Sequence, residues 1–562
     1  MARLTKRKRR DVVSMADTSP ILIVGAGTTG LVMACELSRH GAPVRIIDKQ
    51  SGINPHCRAC SVHARTLEIF HDFGIVDEIL AQGHKVLGMS QYANGERFMH
   101  SSGDEIDSPY PYTVNLEQCK TESVLERLLR TYGIEVERET ELVAISGRPD
   151  GVSATIRRAN SSEEVVETPW LIGCDGAHSR VRHLNRIHFP GIEDPHQYCL
   201  ADVLMESALA RDEIHAFMGD RGVLFFFPLP NGRWLIAADL PTQHDAVKEQ
   251  PSLQDVRAIA SERGPAGIRI SDPRWLAYFR INYRAARHYR HERIFLAGDA
   301  VHIHSPMGGQ GMNTAIQDAY NLAWKLTLVH RGRAPAGLLD SYEKERRPVA
   351  EDVLTTTKML TDRFEAFSHL SPEQRQQLYL NMVVPPEVAK RMARHLEQLD
   401  LNYTKSPICH QHEGSHFGKT RFTAGPRPGE EAPDAKPLLH DNRPTTLFEL
   451  LRGPKHTLLL FPGADHEAKS WHRLAELAES VETGLDDLIN IYYFVAIEAG
   501  SVPSNAKFHG RLILDPERSL HYRYGAETEC MYLIRPDGYV GYRSEPATAS
   551  AFHDYLGRIF SS

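Results

Sequence analysis

Near the beginning of the chain, residues 21–30 read Ile21-Leu22-Ile23-Val24-Gly25-Ala26-Gly27-Thr28-Thr29-Gly30. The apolar run is typical of a parallel strand that is covered on both faces. A helical pattern then extends from Leu31 to His40, and a second predicted strand, residues 43–47, leads into Asp48. This succession of strand, glycine-rich turn, helix, strand and acid predicts an α/β domain with a dinucleotide site.

The glycines of this turn and the acid have separate predicted roles. Gly25 permits the tight turn, Gly27 lets the backbone approach a pyrophosphate, and Gly30 allows the helix to pack closely on the strand. Asp48 is expected to bind ribose hydroxyls. The four residues predict dinucleotide binding, but they do not separate FAD from NAD.

Two later segments also end an apolar strand in an acid and a bend. Asp175-Gly176 follows one such strand, and Gly298-Asp299 follows another. After Asp299 come a proline, three glycines and a second helical pattern. A carboxylate accepts from hydroxyls, and the bare amides of a helix N-terminus donate to an electron-rich group. We therefore expect a site for a polyhydroxylated, partly anionic ligand.

The composition excludes several classes of protein. The chain has 562 residues, of which 41% are apolar and 24% charged, as in a globular protein of about three domains. A net charge of −7 gives no reason to expect nucleic acid, and no stretch approaches the roughly 18 apolar residues of a membrane span. Eight cysteines in such a long chain favour a reducing, cytoplasmic compartment. The basic tail, residues 1–19, is interpreted as a disordered extension rather than a nucleic-acid patch.

Together, the three motifs resemble those of the single-component flavoprotein aromatic hydroxylases, the family of para-hydroxybenzoate hydroxylase and phenol hydroxylase. The motifs at Gly25–Gly30, Asp175-Gly176 and Gly298-Asp299 occur in the family's order and spacing, and the resemblance covers roughly residues 20–400. It implies an α/β fold with an FAD-binding Rossmann-like domain of the glutathione-reductase type. It also implies an inserted antiparallel β-sheet domain for the substrate.

The resemblance implies roles for residues around the flavin. Asp299 would bind the ribityl chain, and Asp175-Gly176 would serve both FAD and NADPH. Arg58 matches an arginine near the flavin pyrophosphate, and Gln118 matches a glutamine that contacts the cofactor. The full set of implied cofactor residues is Gly25, Gly27, Gly30, Asp48, Lys49, Arg58, Gln118, Asp175, Gly176, Asp299, Gly308, Gly309, Gly311, Met312 and Asn313.

Near the flavin ring the resemblance is equally specific. Pro306 would lie beside the isoalloxazine and the substrate, and Pro306 and Arg58 are the implied catalytic residues. The glycines 308, 309 and 311 would let the ring approach the backbone. Met312 and Asn313 would donate backbone N–H groups to the pyrimidine edge, where a helix N-terminus stabilises the reduced, anionic flavin.

The implied reaction is hydroxylation of a phenolic or other small aromatic substrate by FAD, with NADPH or NADH and O₂ as cosubstrates. A flavin C4a-hydroperoxide would donate its distal oxygen to the ring, while the protein excludes water and positions the substrate. Two alternatives stay open: an FAD-dependent epoxidase or tailoring hydroxylase of a polyketide or antibiotic, and a non-catalytic flavoprotein that binds another protein.

The middle of the chain predicts short strands. The turn signal Asn231-Gly232 joins two apolar runs as a hairpin. Phe225 and Phe227 project to one face by the period of two and are candidate walls of a substrate cavity. Residues 340–400 are charged and helical in pattern.

We divide the chain accordingly. The FAD-binding domain takes residues 20–190 and 291–400, and the substrate-binding sheet takes residues 191–290. A linker, residues 401–430, precedes a domain at 431–562 whose strand–helix–strand order and hairpin resemble the thioredoxin-like domain of phenol hydroxylase relatives. The loop after Phe461 contains no C-x-x-C, so this domain is expected to serve packing or a homodimer contact rather than dithiol chemistry.

Two further motifs suggest metal or redox chemistry and are interpreted otherwise. Cys57-Arg58-Ala59-Cys60 is a C-x-x-C, but a second C-x-x-C is missing and Arg58 already has a flavin role. His302-x-His304 lacks further ligands at a suitable spacing, so packing or support of the flavin site is expected and no metal site is predicted.

Overall fold

The computed structural model describes residues 19–56, 59–93, 95–103, 106–240, 250–368, 370–380, 385–413, 421–463, 468–496 and 511–561. The basic tail up to residue 18, together with Cys57 and Arg58, lies outside the described residues. The predictions for the tail, for the C-x-x-C and for Arg58 therefore stay predictions.

A parallel sheet forms the centre of the N-terminal part. Its strand order is β17-β18-β11-β1-β2, where β17 (Arg290–His291) is a short edge strand that is antiparallel to its neighbour β18 (Ile294–Leu296). The elements up to residue 190 are β1 (Ile21–Val24), α1 (Thr28–Arg39), β2 (Val44–Ile47), β3 (Ser61–Val62), α2 (Ala64–Asp72), α3 (Val76–Gln82), β4 (His84–Val86), β5 (Gly88–Ala93), β6 (Glu96–Ser102), β7 (Thr113–Asn115), α4 (Gln118–Thr131), β8 (Glu141–Gly147), β9 (Val152–Arg157), β10 (Glu163–Thr168), β11 (Leu171–Gly173) and α5 (Arg180–Leu184).

A large, mostly antiparallel sheet follows, in the order β19-β16-β12-β15-β14-β13-β5-β6. Its strands β5 and β6 come from before residue 191, and β13 pairs with β5 in parallel. The elements from residue 191 to 303 are β12 (Gly191–Glu206), β13 (Glu213–Gly219), β14 (Gly222–Pro228), β15 (Arg233–Leu240), α6 (Leu253–Arg263), β16 (Arg269–Ala285), β17 (Arg290–His291), β18 (Ile294–Leu296) and β19 (His302–Ile303).

The hairpin predicted at Asn231-Gly232 is confirmed, because β14 and β15 are antiparallel neighbours. Both turn residues have positive φ, 57° and 75°, which suits asparagine and glycine in a tight hairpin turn. The predicted helical region 340–400 is also confirmed. The helices between residues 310 and 400 are α7 (Gln310–His330), α8 (Asp340–Ser368), α9 (Pro372–Leu380) and α10 (Pro386–Leu396).

The C-terminal part has its own sheet, in the order β20-β27-β26-β23-β24-β25-β21-β22. Its elements are β20 (His410–Glu413), β21 (Leu438–His440), β22 (Arg443–Thr445), α11 (Leu447–Leu451), β23 (His456–Phe461), α12 (Ala468–Leu485), β24 (Ile489–Val495), β25 (Leu512–Leu514), α13 (Ser519–Tyr524), β26 (Cys530–Ile534), β27 (Val540–Glu545) and α14 (Ala549–Ile559). The strand β20 arises within residues 401–430, where we expected a linker, and pairs with β27. The likeness to thioredoxin and the domain limits stay predictions.

The C-terminal part shares a hydrophobic core with helix α7. Trp324 and Leu328 belong to one cluster of buried residues with Leu458, Leu460 and Leu533. The C-terminal sheet is therefore packed onto the helix that begins at the candidate site. Among the described residues, no helix is both long and apolar enough to cross a membrane.

Candidate functional site

A cavity of about 2860 Å³ lies between the carboxyl ends of the parallel strands and the large sheet. Because the carboxyl ends of parallel strands meet at one edge, the three motifs converge there although they are far apart in the chain. The predicted residues that line this cavity are Gly25, Gly27, Asp48, Lys49, Gln118, Asp175, Gly176, Phe225, Phe227, Asp299, Pro306, Gly308, Gly309, Gly311 and Met312. Gly30 and Asn313 are not among the lining residues.

The glycine-rich turn between β1 and α1 leaves no room for side chains at two positions. A Cβ at Gly25 would lie 2.4 Å from the Cys174 carbonyl oxygen, and a Cβ at Gly30 would lie 1.8 Å from the Gly25 oxygen. A Cβ at Gly27, in contrast, would meet only Glu122 Oε1, at 3.8 Å. Gly27 therefore faces open space at the beginning of α1, where a phosphate group can approach the backbone.

The carboxylate of Glu122 supports this turn from α4. Its Oε1 accepts hydrogen bonds from the Thr28 amide at 3.1 Å, from the Thr28 hydroxyl at 3.0 Å and from Gln118 Nε2 at 2.8 Å. Burial raises the pKa of Glu122, and these hydrogen bonds oppose that shift. Gln118 lines the cavity, while its contact with the cofactor stays a prediction. The contact of Glu122 with the turn is visible only in the fold.

Two predicted acids brace the backbone around the cavity. Asp48 Oδ2 accepts from the Ala26 amide at 2.6 Å, so the end of β2 is tied to the glycine turn. Asp175 Oδ2 accepts from the Arg180 and Val181 amides, at 2.6 and 3.1 Å, at the beginning of α5. The other oxygen of Asp175 is buried without a hydrogen-bond partner in the described part of the chain, and burial raises the pKa of Asp175.

A buried ionic network stabilises the Gly298-Asp299 turn. Asp318 on α7 accepts hydrogen bonds from the Gly298 amide at 3.1 Å and from Arg346 Nε at 2.8 Å. The same carboxylate lies 2.8 Å from His302 Nε2. Burial opposes ionisation of Asp318, but His302 and Arg346 hold the pKa of Asp318 below its ordinary value. His302 is therefore a structural partner of Asp318, which fits our interpretation of the His302-x-His304 pair.

The segment from Pro306 to the beginning of α7 forms a tight bend. Gly308 and Gly309 have φ values of 81° and 65°, a left-handed conformation that favours glycine. Gly309 is the N-cap of α7 and has no side chain that could cap the helix. The Asn313 side chain donates to the Ser61 and Gly309 carbonyl oxygens at 2.9 and 2.8 Å and accepts from the His63 amide at 3.0 Å.

Comparison with known proteins agrees with this geometry. A family model described as FAD binding domain matches residues 18–357, which is more than half of the chain. The chain belongs to this FAD-binding family.

Two curated relatives of this FAD-binding chain are similar over nearly their whole length. The 6-methylpretetramide 4-monooxygenase of Streptomyces rimosus is 33% identical, over 95% of this chain and 93% of the relative. The pentachlorophenol 4-monooxygenase of Sphingobium chlorophenolicum is 30% identical, over 93% of each. A solved structure, the OxyS anhydrotetracycline hydroxylase from Streptomyces rimosus, superposes with a TM-score of 0.72 and 28% identity, over 97% of this chain and 99% of that one. The chain is an FAD-dependent aromatic hydroxylase.

The residues present fit FAD. Open space lies beside Gly27 at the beginning of α1, and the cavity continues past Asp299 to the beginning of α7, whose N-cap is a glycine. One helix N-terminus suits a pyrophosphate and the other suits the electron-rich edge of a ring. The individual contacts to FAD stay proposals.

Aromatic side chains line the cavity on the side of the large sheet. The rings of Phe225 and Phe227 stack with centroids 5.9 Å apart, and Phe364 of α8 meets Phe225 edge-on at 5.7 Å. Both predicted residues therefore face the cavity, as the period of two requires, and α8 completes the apolar wall.

An ion pair that the sequence analysis missed lies under the bend. His63 Nε2 donates to the Gly308 carbonyl at 2.9 Å, and His63 Nδ1 lies 3.4 Å from Glu397 Oε2. Both ring nitrogens thus face acceptors, which requires the charged imidazolium. Burial opposes this charge, but Glu397 raises the pKa of His63, and His63 in turn helps to keep the pKa of Glu397 low. No local sequence signal connects two residues so far apart in the chain.

The His63–Glu397 pair predicts a pH dependence. Because the pKa of His63 is raised by folding, its contribution to stability is complete below the ordinary value of 6.5 and is lost as the pH rises through the folded value. We expect His63→Gln to lower the melting temperature most at and below pH 6, progressively less as the pH rises from 6.5 through the folded pKa, and by a constant smaller amount above it. Thermal melts of both proteins across this range measure the difference. A constant difference at all pH values would mean that folding does not shift the pKa of His63.

Proposed function

We propose that this FAD-dependent aromatic hydroxylase adds one oxygen atom to a multi-ring phenolic substrate, with NADPH or NADH as reductant and O₂ as oxidant. The reaction would consume NAD(P)H, a proton and O₂, and it would release NAD(P)⁺, water and the hydroxylated ring. The observation that carries the substrate class is an apolar stripe on helix α10.

Three side chains of α10 form this stripe along the cavity. Val388, Met392 and Leu396 follow one another at intervals of four residues, so they lie on one face of the helix, and all three line the cavity. Eight residues of helix span about 12 Å. No described side chain of α10 is buried, and Met392 remains 48% exposed. An apolar stripe of this length suits a fused ring system better than a single ring.

The stripe begins at the expected position of the flavin ring. A Cβ at Gly308 would lie 3.4 Å from Leu396 Cδ2, so Leu396 covers the bend at Gly308. From there the stripe leads away along the cavity toward Val388. A flat substrate that contacts the stripe would therefore have one ring beside Pro306 and the others farther out.

The size of the cavity supports two ligands. Pockets for drug-sized molecules are about 300–1,000 Å³, and this cavity has about 2860 Å³. The volume accommodates a dinucleotide and a large aromatic substrate together. The names of the relatives include both anhydrotetracycline and pentachlorophenol, and the α10 stripe favours the larger class for this chain.

The chain's own residues would bind FAD and exclude water. Gly25, Gly27 and the beginning of α1 would bind the pyrophosphate, with Asp48 on the ribose and Asp299 on the ribityl chain. The bound flavin supplies the redox chemistry with O₂. The amides at the beginning of α7 would bind the electron-rich edge of the flavin ring. The aromatic wall of the cavity would exclude water from the substrate.

A substrate panel tests the proposal. The purified holoenzyme would be mixed with single-ring phenols and with phenols of three or four fused rings, each with NADPH and with NADH. We expect substrate-stimulated NAD(P)H oxidation and oxygenated product, labelled from heavy-isotope O₂, with the multi-ring compounds. Efficient hydroxylation of single-ring phenols alone would contradict the substrate class.

Two charge changes on α10 sharpen this test. Met392→Glu places a carboxylate on the apolar stripe, whereas Arg391→Glu changes the neighbouring residue, which is exposed and not among the cavity-lining residues. We expect Met392→Glu to raise the KM for a multi-ring substrate about tenfold or more, because burying an unpaired charge costs more than 1.4 kcal/mol. Arg391→Glu is the matched control, and equal effects of both changes would exclude the stripe as the substrate wall.

A further inference from the structure

A polar side chain interrupts the apolar wall that the large sheet presents to the cavity. Across the neighbouring strands β5, β13, β14 and β15, each residue of the following row is paired with the next: Gln91, Ala216, Phe225 and Ala237. Residues that are directly paired lie on the same face of a sheet, and Phe225 and Ala237 line the cavity. Gln91 therefore belongs to the same wall, and it lines the cavity as well.

The amide of Gln91 is nearly enclosed by protein and yet open to the cavity. The residue is only 8% exposed. Within the described part of the chain, its side-chain oxygen and nitrogen have no hydrogen-bond partner, and both atoms keep accessible surface, unlike the fully enclosed unpaired atoms of other residues. Because Gln91 lines the cavity, a ligand in the cavity can reach its amide.

Helix α8 shows how far Gln91 lies from the expected position of the flavin ring. Thr361 of α8 donates to the Ser305 hydroxyl at 3.3 Å, beside the bend that precedes α7. Six positions later, Phe367 stacks on Phe98 of β6 with centroids 6.2 Å apart. Phe98 lies next to the partner of Gln91 in β6, and six residues of helix span about 9 Å. Gln91 consequently faces the end of the cavity that is farther from the flavin ring.

The chemistry of the amide selects the group that binds beside it. Water can pair with the amide of Gln91 in the open cavity, but an aromatic ring packed against the wall displaces that water. A purely apolar ring would leave a donor and an acceptor unpaired in an apolar enclosure, which is unfavourable. A ring with a carbonyl or hydroxyl group would pair with Nε2 or Oε1 instead. A site of this kind discriminates against analogues that lack the polar group.

We propose that Gln91 determines substrate specificity through a hydrogen bond to a carbonyl or hydroxyl group on the substrate ring that lies farthest from the flavin. The inference rests on the proposed multi-ring substrate, because a single ring beside Pro306 would not extend to this end of the cavity. It gives Gln91 no part in the redox chemistry. FAD affinity and the KM for NAD(P)H should therefore not depend on Gln91.

A matched pair of substrates tests the inference with the wild-type holoenzyme. Both compounds would be phenols of three or four fused rings, and only one would carry a carbonyl or hydroxyl group on the ring farthest from the phenol. We expect the KM of the polar compound to be about tenfold lower, with a similar kcat. Equal KM values would overturn the inference and leave the proposed function intact. Turnover of single-ring phenols alone would overturn both.

Two substitutions on β5 assign the preference to the amide. Gln91→Met keeps the length of the side chain and should raise the KM of the polar compound about tenfold, while the KM of the apolar compound stays the same or falls. Tyr92→Phe is the matched control, because Tyr92 does not line the cavity and its hydroxyl lies 3.3 Å from His215 Nδ1 on the opposite face.

The control should keep the wild-type preference between the two compounds. Equal losses for both compounds in Gln91→Met would indicate packing alone and would overturn the inference, and so would a lost preference in Tyr92→Phe. A changed KM for NAD(P)H with an unchanged KM for the polar phenol would also overturn it. The comparison of the two phenols in the wild-type protein decides the matter even if Gln91→Met fails to fold.

Discussion

Replacement of Arg535 by methionine is expected to lower the free energy of unfolding by about 3–5 kcal/mol. The guanidinium of Arg535 donates to both Glu345 oxygens, at 2.8 and 2.9 Å, and to Asp537 Oδ1 at 2.9 Å. Lys325 Nζ completes the network, 2.6 Å from Glu345 Oε2. All four side chains are almost completely buried, so the loss of one cation leaves a carboxylate uncompensated in a region that water does not reach.

This network joins the C-terminal sheet to the helices of the FAD-binding part, because Arg535 and Asp537 follow β26 while Lys325 and Glu345 lie on α7 and α8. Urea unfolding followed by circular dichroism gives the change in midpoint, and limited proteolysis reports release of the C-terminal part. Arg333→Met is the matched control. It breaks the half-exposed pair with Asp487, which spans the same two parts of the chain, and should cost about 1 kcal/mol or less. Similar losses for both variants would show that burial does not set the cost.

The second large effect is expected at the glycine turn. Gly30→Ala places a methyl group 1.8 Å from the Gly25 carbonyl oxygen, which belongs to the backbone and cannot move aside without shifting the turn. We expect a loss of stability of roughly 3 kcal/mol and at least a hundredfold loss of FAD affinity, because α1 must separate from β1. Thermal melts of the apoprotein and titration with FAD measure both quantities.

Gly27→Ala separates the two effects. Gly27 has φ −76°, which alanine adopts freely, and the nearest described protein atom to its Cβ would be 3.8 Å away. The apoprotein should therefore be as stable as the wild type or slightly more so. FAD affinity should still fall tenfold or more, because the methyl group occupies the space that the pyrophosphate needs. Wild-type FAD affinity in Gly27→Ala would place the pyrophosphate elsewhere.

The sequence predicted those parts of the site that depend on neighbours in the chain. A strand, a glycine turn and a helix are local, so the turn at Gly25–Gly30, the bend after Pro306 and the hairpin at Asn231-Gly232 could be recognised from residue order. The two-residue period of a β-strand likewise predicted that Phe225 and Phe227 lie on one face, which lines the cavity. Arg58 lies outside the described residues, so its predicted contact with the pyrophosphate is untested.

The ionic partners of the site could not be predicted, because each joins distant parts of the chain. Glu397 reaches His63, and Arg346 reaches Asp318, only after α7, α8 and α10 have packed around the bend. A charged residue in a helical pattern is expected on a solvent-exposed face. Its burial and its ionic partner become visible only in the folded structure.

The residue pattern by itself predicted a dinucleotide site and the path of the backbone around it, and the resemblance of the three motifs to a known family implied FAD. Glycine positions and strand ends obey steric rules that act over a few residues. The tertiary structure alone decided which charges are buried together, how the C-terminal sheet packs on α7 and which face of α10 lines the cavity. These outcomes depend on long-range packing, where desolvation makes each charge sensitive to partners that lie hundreds of residues away.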